Sequence, residues 1–279
     1  PNSKRVIIFS PHPDDDVVSM GGTFDRLVSQ GHEVHIAYQV KGNIAVSDHD
    51  ALKFIEVSKD MFKNDSKVPV SELIKELKNN KPDKIDSQAV RDLKGFIRKR
   101  EAIAATRYIG IPDSNTHFMN LPFYDTGRIK KNPPTKKDVL ITASLIKKIK
   151  PHQIFAAGDL EDPHGTHKVC LDVILDALDT LKGEKFIKDC WLWLYRGAWL
   201  DWDVHDIDMA VPMSPAQVLR KRKAIFFHQT QKDGVMFQGQ DLREFWVRAE
   251  ERNSETAEKY KKMGLADYAA IESFKRHYY

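Results

Sequence analysis

One imidazole and three carboxylates follow a short apolar run near the beginning of the sequence. The run covers residues 5–9, and the polar side chains after it are His12, Asp14, Asp15 and Asp16. Imidazole nitrogens and carboxylate oxygens are common ligands of zinc, and a carboxylate beside the ion can act as a general base. Acidic residues are also favoured in turns and at the start of a helix. The segment therefore predicts either a metal site or an acidic helix start.

A second polar cluster occurs far along the chain, directly after the apolar run at residues 153–157. It contains Asp159, Asp162, His164 and His167. The two histidines are three positions apart at a predicted helix start, so they lie on one face of that helix. Either histidine alone is typical of a solvated helix cap, but two imidazoles with several acids after a second strand favour a metal site.

The two clusters can form one site if the two apolar runs are neighbouring parallel strands. Three ligands drawn from them, two nitrogens and one oxygen, make an open catalytic zinc site, and a remaining carboxylate can serve as the base. Zinc lowers the pKa of the water it binds towards ~7 and polarises a carbonyl, which suits hydrolysis of an amide. The residues therefore favour a metal-dependent hydrolase.

The elements that must position these side chains alternate between strand and helix patterns. Short apolar runs predict strands at residues 5–9, 33–38, 153–157 and 191–195. Amphipathic periodicity predicts helices at residues 91–109 and 169–181. A strand, a helix and a strand at the beginning of the chain indicate a βαβ unit, and hence an open α/β sandwich with a parallel sheet. In such folds ligands bind at the carboxyl ends of the strands.

Three other segments carry predictions about the packing. The polar residues 47–84 have helical periodicity in two pieces and are predicted to lie outside the sheet. The last third of the chain is predicted to end in two helices, at residues 215–228 and 242–262. Gly21 and Gly22 are predicted to allow close packing of a helix on the sheet, and Trp191 and Trp193 are predicted to belong to the core.

The composition is ordinary for a globular protein. The 279 residues are 41% hydrophobic, which is enough to form a core, and the formal net charge is +4. We expect one domain over residues 1–279, alone or as part of a longer polypeptide. Scattered basic clusters argue against nucleic-acid binding. The longest apolar run, residues 190–195, is far short of the roughly 20 residues of a membrane span, and only two cysteines are present, which favours the cytoplasm.

Four segments together resemble the LmbE-like (PIG-L) family of de-N-acetylases. The first is Pro11-His12-Pro13-Asp14-Asp15 leading into Gly21-Gly22-Thr23, which is similar to the family motif His-Pro-Asp-Asp-Glu. The others are Arg98-x-x-Glu101, His164-Gly165-Thr166-His167, and Lys221 followed by His228-Gln229-Thr230-Gln231. The resemblance covers most of the chain in the correct order, and it implies a Rossmann-like three-layer α/β sandwich with a mostly parallel sheet.

The resemblance also implies roles for the matching residues. His12, Asp15 and His167 would hold the metal, which is usually zinc, with another divalent metal left open. Asp14 would be the general base that takes a proton from the attacking water. His164 would stabilise the oxyanion or protonate the leaving amine, and because a helix N-terminus disfavours an imidazolium we predict mainly a hydrogen-bond donor. The implied reaction removes an acetyl or related acyl group from an N-acylated amino sugar, such as an N-acetylglucosamine derivative.

Two departures from the family motif concern residues behind the ligands. Asp16 stands where the family usually has Glu, and it is predicted to support the ligands from behind. Gly165-Thr166 replaces the common Pro-Asp, which removes a carboxylate expected to orient a ligand. For substrate binding the candidates are Arg98, which could equally pair with Glu101, and Arg196, which follows the predicted strand 191–195.

Two further functions remain open on the sequence. One is a non-catalytic sugar- or sugar-phosphate-binding module attached to an amino-sugar enzyme, and the altered His-Gly-Thr-His segment is its best support. The other is a metal-dependent phosphoesterase, which would normally need a second metal and more ligands than can be assigned. Some bacterial family members resemble fusions behind a glucosamine-6-phosphate deaminase-like domain. The expected partners are therefore a small amino-sugar substrate and either a fused domain or a second copy of the chain.

Overall fold

A computed structural model describes residues 3–61, 70–80, 84–197, 199–232 and 243–279. The strands in these residues are β1 (Arg5–Ser10), β2 (Glu33–Tyr38), β3 (Thr116–Phe118), β4 (Gln153–Ala157), β5 (Trp191–Tyr195), β6 (Met209–Met213) and β7 (Ala270–His277). In this part of the chain they form one seven-stranded sheet in the order β3-β2-β1-β4-β5-β7-β6. The first five strands are parallel, and β7 runs antiparallel to both of its neighbours.

The helices cover both faces of the sheet. In chain order they are α1 (Asp15–Ser29), α2 (Asp48–Met61), α3 (Val70–Lys78), α4 (Gln88–Ile109), α5 (Lys136–Ile149), α6 (Thr166–Thr180), α7 (Pro215–Phe226) and α8 (Phe245–Lys262). One core contains side chains of α1, α4, α7 and α8, and the core on the opposite face contains those of α5 and α6. The prediction of a three-layer α/β sandwich with a mostly parallel sheet is thus confirmed.

Burial on both faces explains why the central strands read as continuous apolar runs. On β1, Val6 and Ile8 belong to one core, whereas Ile7 and Phe9 belong to the other. Consecutive side chains of a strand point to opposite faces, so a strand covered on both sides has no polar position. The described parts of residues 47–84 lie outside the sheet as predicted, since α2 and α3 pack with α4 in a separate apolar cluster.

The strand order places a crevice between β1 and β4. β1 pairs in parallel with β2 on one side and with β4 on the other, so the chain leaves β1 in one direction and returns to its opposite edge. Loops after two such strands diverge and leave a gap at their carboxyl ends, which is where ligands bind in open α/β sheets. The two polar clusters of the sequence follow β1 and β4.

The last third of the chain differs from the prediction. It was expected to end in helices, but β6 and β7 add an antiparallel pair to the sheet. Pro212 lies in β6, an edge strand, where the missing N–H of proline is tolerated. Helix α7 ends at Phe226, two residues before the predicted end, and the predicted start of α8, Leu242, lies outside the described residues.

The packing predictions for Trp191, Trp193 and Gly22 have different outcomes. Trp193 is 7% exposed and lies in the core as predicted. Trp191 is 46% exposed, so its assignment to the core was wrong. It starts β5 at the sheet end opposite the crevice, where it stacks against the Arg276 guanidinium at 3.9 Å. A Cβ at Gly22 would clash with the Met213 side chain, which confirms the close packing of α1 on the sheet.

Candidate active site

Three side chains from the two polar clusters meet in the crevice between β1 and β4. Asp15 Oδ2 lies 3.2 Å from His12 Nδ1 and 3.2 Å from His167 Nε2. The candidate ligand atoms of all three residues lie within 4.8 Å of one another. The loop after β1 and the beginning of α6 thus converge, although more than half of the chain separates them.

The three consecutive aspartates point in different directions because the chain turns between β1 and α1. The Asp14 N–H donates to the His12 carbonyl at 2.9 Å, and the His12 N–H donates to Asp15 Oδ2 at 2.8 Å. Asp14 pairs with the Arg98 guanidinium at 2.9 Å, whereas Asp15 faces the two imidazoles. Asp16 points away from the crevice. The carboxylates of Asp14, Asp15 and Asp16 can therefore have different roles.

Asp16 lies behind the crevice, as predicted for a supporting carboxylate. It accepts hydrogen bonds from the Tyr38 hydroxyl at 3.0 Å and the Ser10 hydroxyl at 3.2 Å. The side chain is fully buried, and burial raises the pKa of Asp16 to about 7 although both donors act in the opposite direction. Its backbone N–H also donates to Ser10 Oγ, so this residue fixes the first turn of α1 against β1.

A backbone contact sets the orientation of the His167 ring. His167 Nδ1 donates to the Asp159 carbonyl at 2.8 Å, which orients the ring so that Nε2 faces Asp15. Burial alone would lower the pKa of His167, but the Asp15 carboxylate raises it to about 10. Asp159 is in turn fixed through its carboxylate, which accepts the Trp199 N–H at 2.6 Å and the Leu200 N–H at 3.2 Å.

The beginning of α6 shows what replaces the carboxylate that the motif lacks. Gly165 has a φ of +64°, a left-handed conformation that glycine adopts without strain. The Asp162 carboxylate accepts the N–H groups of Thr166 at 2.8 Å and His167 at 3.1 Å. Asp162 therefore caps the helix and holds the backbone of His167, and a carboxylate from outside the His-x-x-His segment orients this candidate ligand.

The donor set fits a divalent cation. Zinc ligands lie at ~2.0–2.2 Å from the ion, so two of them in a tetrahedral arrangement are about 3.4 Å apart. The two nitrogen–oxygen separations of 3.2 Å agree with that value. Burial opposes ionisation, but the imidazoles of His167 and His12 hold the pKa of Asp15 well below its usual value. His12, Asp15 and His167 could therefore hold zinc or a similar ion.

A further carboxylate at the wall of the crevice belongs to Asp14. Burial raises the pKa of Asp14, and the Arg98 guanidinium acts against this rise. Arg98 is itself 1% exposed and also donates to the carbonyls of Pro13 and Gly42, each at 3.4 Å. Helix α4 thus places a buried cation beneath the loop that carries Asp14, and the contact with Arg98 fixes the carboxylate at the cavity wall.

A cavity of about 60 Å³ opens above these residues. The predicted site residues that line it are His12, Asp14, Asp15, Arg98, His164 and His167. Arg196 is not brought to the described cavity wall. Its guanidinium donates to the carbonyls of Gly158 and Asp201 and stacks 3.7 Å from the Trp202 ring centroid. Arg196, directly after β5, therefore stabilises the loop that follows it.

His164 lies half-buried at the cavity wall. Burial lowers the pKa of His164, and the charges of His12 and Lys131 lower it further. The direction agrees with the neutral imidazole expected at this position, but the main physical cause is burial.

Several residues of the site were not predicted from sequence. Tyr124, Trp199 and Phe245 line the cavity, yet no spacing pattern connects them with the motifs. Glu101 accepts the Thr230 N–H and hydroxyl, each at 2.8 Å, which joins two motif segments that the sequence could only place in order. Asp159 and Asp162 also orient His167, and their positions directly after β4 could have indicated this role from the sequence.

The fold and the site define an α/β protein with a candidate two-histidine, one-aspartate metal centre at the point where the strand order reverses. A family model described as PIG-L, GlcNAc-PI de-N-acetylase, matches residues 7–178. The chain belongs to the PIG-L (LmbE-like) family. A curated relative from Bacteroides thetaiotaomicron, a glucosamine-6-phosphate deaminase-like protein, is 50% identical over 98% of this chain. The chain spans only 43% of that relative's length.

Solved structures share the fold at low identity. The N,N'-diacetylchitobiose deacetylase of Pyrococcus horikoshii is 18% identical, with 99% of this chain and 84% of that chain covered and a TM-score of 0.59. A teicoplanin deacetylase in a zinc-inhibited form is 16% identical, with 98% of each chain covered and a TM-score of 0.52. The hydratase GalB of Pseudomonas putida is 15% identical, with 99% and 97% covered and a TM-score of 0.59. Because a hydratase shares the fold, the fold alone does not decide the reaction.

Proposed function

We propose that the chain is a metal-dependent hydrolase that removes an acetyl group from an N-acetylglucosamine-type amino sugar. The observation that carries the proposal is the position of Asp15 Oδ2, 3.2 Å from both His12 Nδ1 and His167 Nε2, with Asp14 beside it on the wall of the same cavity. Membership of the PIG-L family supports the amide of an amino sugar as the substrate.

His12, Asp15 and His167 would hold the metal, and zinc is the proposed ion because two nitrogens and one oxygen are a common ligand set of catalytic zinc. A divalent cation bound there supplies a Lewis acid for the amide carbonyl and lowers the pKa of water. Other divalent cations bind the same set in the usual order of affinities. The three side chains need little rearrangement, since Asp159 and Asp162 already orient His167.

Asp14 is the proposed general base. Burial raises its pKa towards the pH at which a base works, so the carboxylate can take a proton from the attacking water and later return it. The Arg98 contact at 2.9 Å holds one carboxylate oxygen and leaves the other for this exchange. Arg98 is thus assigned to positioning Asp14, in place of the substrate contact that the sequence suggested.

His164 is the proposed donor to the oxyanion. A neutral imidazole can donate one hydrogen bond to the tetrahedral oxygen without giving up its proton, and burial keeps His164 neutral. Donors at a developing negative charge are worth about a hundredfold or more in rate. The proton for the leaving amine then comes from Asp14, so the two residues divide the oxyanion and proton-transfer roles.

The test is release of acetate from a panel of N-acetylated sugars by the purified chain. We expect release from an N-acetylglucosamine derivative, loss of the activity with a chelator, and recovery when zinc or another divalent ion is added back. The matched variant Asp14→Asn should bind the metal and lack turnover. Bound metal and bound sugar without acetate release from any substrate would support the binding module instead, and release of phosphate without free amine would support a phosphoesterase.

The phosphoesterase gains no support from the described residues. Their second group of candidate metal ligands, Asp203, His205 and Asp206, is not part of the described cavity wall. A two-metal phosphoesterase needs its ions about 4 Å apart. One ligand group in the cavity therefore favours the single-metal hydrolase.

The cellular context is also part of the proposal. Two buried, unpaired cysteines support the cytoplasm as the compartment. We treat residues 1–279 as one domain, and the length of the Bacteroides thetaiotaomicron relative beyond the shared region supports a fused partner domain. A second copy of the chain is the alternative partner, and light scattering of the purified chain distinguishes it.

A further inference from the structure

A basic loop follows Tyr124, a residue of the cavity wall. Residues 125–135 connect Tyr124, a cavity residue, with α5, and they include Arg128, Lys130 and Lys131. The side chains of Arg128 and Lys130 are exposed, whereas Lys131 is partly buried. One of the cations on this loop is therefore turned towards the protein, and its surroundings show what it faces.

Lys131 lies against the cavity wall. Its ammonium is 3.8 Å from the centroid of the Tyr124 ring, and it donates to the Arg128 carbonyl at 2.6 Å. The Tyr124 ring also contacts the candidate ligand His12, with ring centroids 6.2 Å apart. One aromatic ring is therefore a neighbour of both the ammonium and the candidate metal centre. The Lys131 charge also acts on His164, the proposed oxyanion donor.

Lys131 has no carboxylate partner in the described part of the chain. By contrast, Arg98 pairs with Asp14 at 2.9 Å, and Lys41 pairs with Asp92 at 3.1 Å. Asp125, on the same loop, lies 3.6 Å from Lys41. Burial lowers the pKa of Lys131 to about 8, with Asp125 acting weakly in the opposite direction.

A bound anion would supply the counter-charge that Lys131 lacks among the described residues. A partly dehydrated ammonium without a counter-charge is unfavourable, and a phosphate or carboxylate beside it restores the lost interactions through charge-assisted hydrogen bonds. Arg196, the sequence candidate for such a contact, is occupied by the carbonyls of Gly158 and Asp201. Lys131, which lies against the cavity residue Tyr124, can provide such a contact instead.

We propose that Lys131 forms a subsite for an anionic substituent, a phosphate or a carboxylate, on the amino-sugar substrate. The inference rests on the proposed function, because it places the amide at the metal centre and the anion one sugar ring away. The neighbouring exposed cations Arg128 and Lys130 attract the same anion at longer range. The substrate class is thus an acidic N-acetylated amino sugar.

The experiment compares three substrates that differ in charge: N-acetylglucosamine, its 6-phosphate, and N-acetylmuramic acid as the carboxylate. We expect kcat/KM for one of the acidic substrates to exceed that for N-acetylglucosamine by roughly ten- to a hundredfold. The variant Lys131→Met should abolish that preference, and Lys131→Arg should retain most of it. The matched control Lys130→Met changes an exposed neighbour and should leave the preference as it is.

Calorimetry with the deacetylated ligands separates this inference from the proposed function. Glucosamine 6-phosphate and muramic acid should bind the chain more tightly than glucosamine, and Lys131→Met should remove the difference. Such binding without acetate release from any substrate would keep the anionic subsite and overturn the hydrolase. Acetate release at equal rates from neutral and acidic sugars, with equal binding, would keep the hydrolase and overturn the subsite.

Discussion

Two buried groups of charged residues contact helix α1, and they differ in how completely their polar atoms are satisfied. In the first, Lys221 Nζ lies 2.8 Å from Glu272 and 2.8 Å from Asn253. The Glu272 carboxylate also accepts the N–H groups of Gly22 at 2.9 Å and Thr23 at 2.6 Å. These N–H groups are available because the helical geometry of α1 is broken at Met20. We call Lys221, Asn253 and Glu272 the scaffold cluster.

The second group is the crevice site of His12, Asp14, Asp15, Arg98 and His167. Several buried polar atoms around it have no hydrogen-bond partner among the described residues, namely Arg98 Nε, Asp159 Oδ1 and both ring nitrogens of His228, whereas beside the scaffold cluster this holds for the Thr23 hydroxyl. Buried polar atoms without partners are rare in folded proteins unless a ligand or water completes them. The comparison indicates that the scaffold cluster stabilises the fold, whereas the crevice site is arranged for a ligand.

The largest effect is expected from Asp15→Asn. Loss of the carboxylate charge between the two imidazoles should lower kcat/KM for acetate release by about a thousandfold, since a bound metal supplies several kcal/mol of transition-state stabilisation. Zinc affinity measured by calorimetry should fall in parallel. The free energy of unfolding in urea should change by only about 1 kcal/mol, because the amide still accepts the His12 N–H. A variant that keeps its zinc and its rate would contradict the assignment.

Lys221→Met should produce the opposite result. Removing one partner of a buried ion pair leaves Glu272 without a counter-charge, and the free energy of unfolding should fall by about 3 kcal/mol. Acetate release per folded molecule should stay within a few-fold of the wild type. The control is Lys147→Met, which removes an exposed pair with Glu184 and should change stability by less than about 1 kcal/mol. Unchanged stability with lost activity would place Lys221 in the site instead.

His164→Asn tests the division of labour within the crevice. Loss of the oxyanion donor should lower the plateau of the pH–kcat profile by about a hundredfold. The acid limb should keep its position, because His164 is expected to be neutral and does not supply the proton. Disappearance of the basic limb in this variant would show that His164 acts as the general acid.

The smallest effect concerns the pH dependence of stability through His228. Burial lowers the pKa of His228 to about 3, whereas the unfolded chain has an imidazole pKa of ~6.5. As the pH falls below 6.5 the unfolded state takes up a proton that the folded state does not, so folding stability decreases. This group alone should contribute a loss of about 2 kcal/mol between pH 7 and pH 5.

The measurement for His228 is urea unfolding at both pH values, with His228→Gln as the comparison. The variant should show the smaller loss of stability on acidification, because glutamine does not titrate. An identical loss in both proteins would mean that the imidazole is protonated or solvated in the folded state.

The residues that could be predicted from the sequence are those whose signals are local. β1, β2 and β4 are apolar runs because both faces are covered, and the polar residues after β1 and β4 must then meet at one edge of the sheet. The fold class and the meeting of the two polar clusters follow from that rule. The His-x-x-His spacing predicted both histidines on one face of a helix, but α6 begins at Thr166, so His167 lies in its first turn and His164 lies in the turn before it.

The features that could not be predicted from the sequence depend on contacts between distant segments. Glu272 bonds to the N–H groups of Gly22 and Thr23, and nothing near residue 272 indicates that α1 is broken at Met20. β7 carries Glu, Lys and Arg in its sequence, so it lacks the apolar run that identified the central strands. Arg196 follows a strand as expected of a binding residue, but the loop after it provides Asp201 and Trp202 as closer partners.

The central claim is that the loops after β1 and β4 hold one divalent ion between them. Crystals grown with zinc and measured on both sides of the zinc absorption edge test this claim directly. We predict one strong anomalous peak bonded to His12 Nδ1, Asp15 Oδ2 and His167 Nε2. Absence of a peak at these atoms, with or without a peak at Asp203, His205 and Asp206, would contradict the claim.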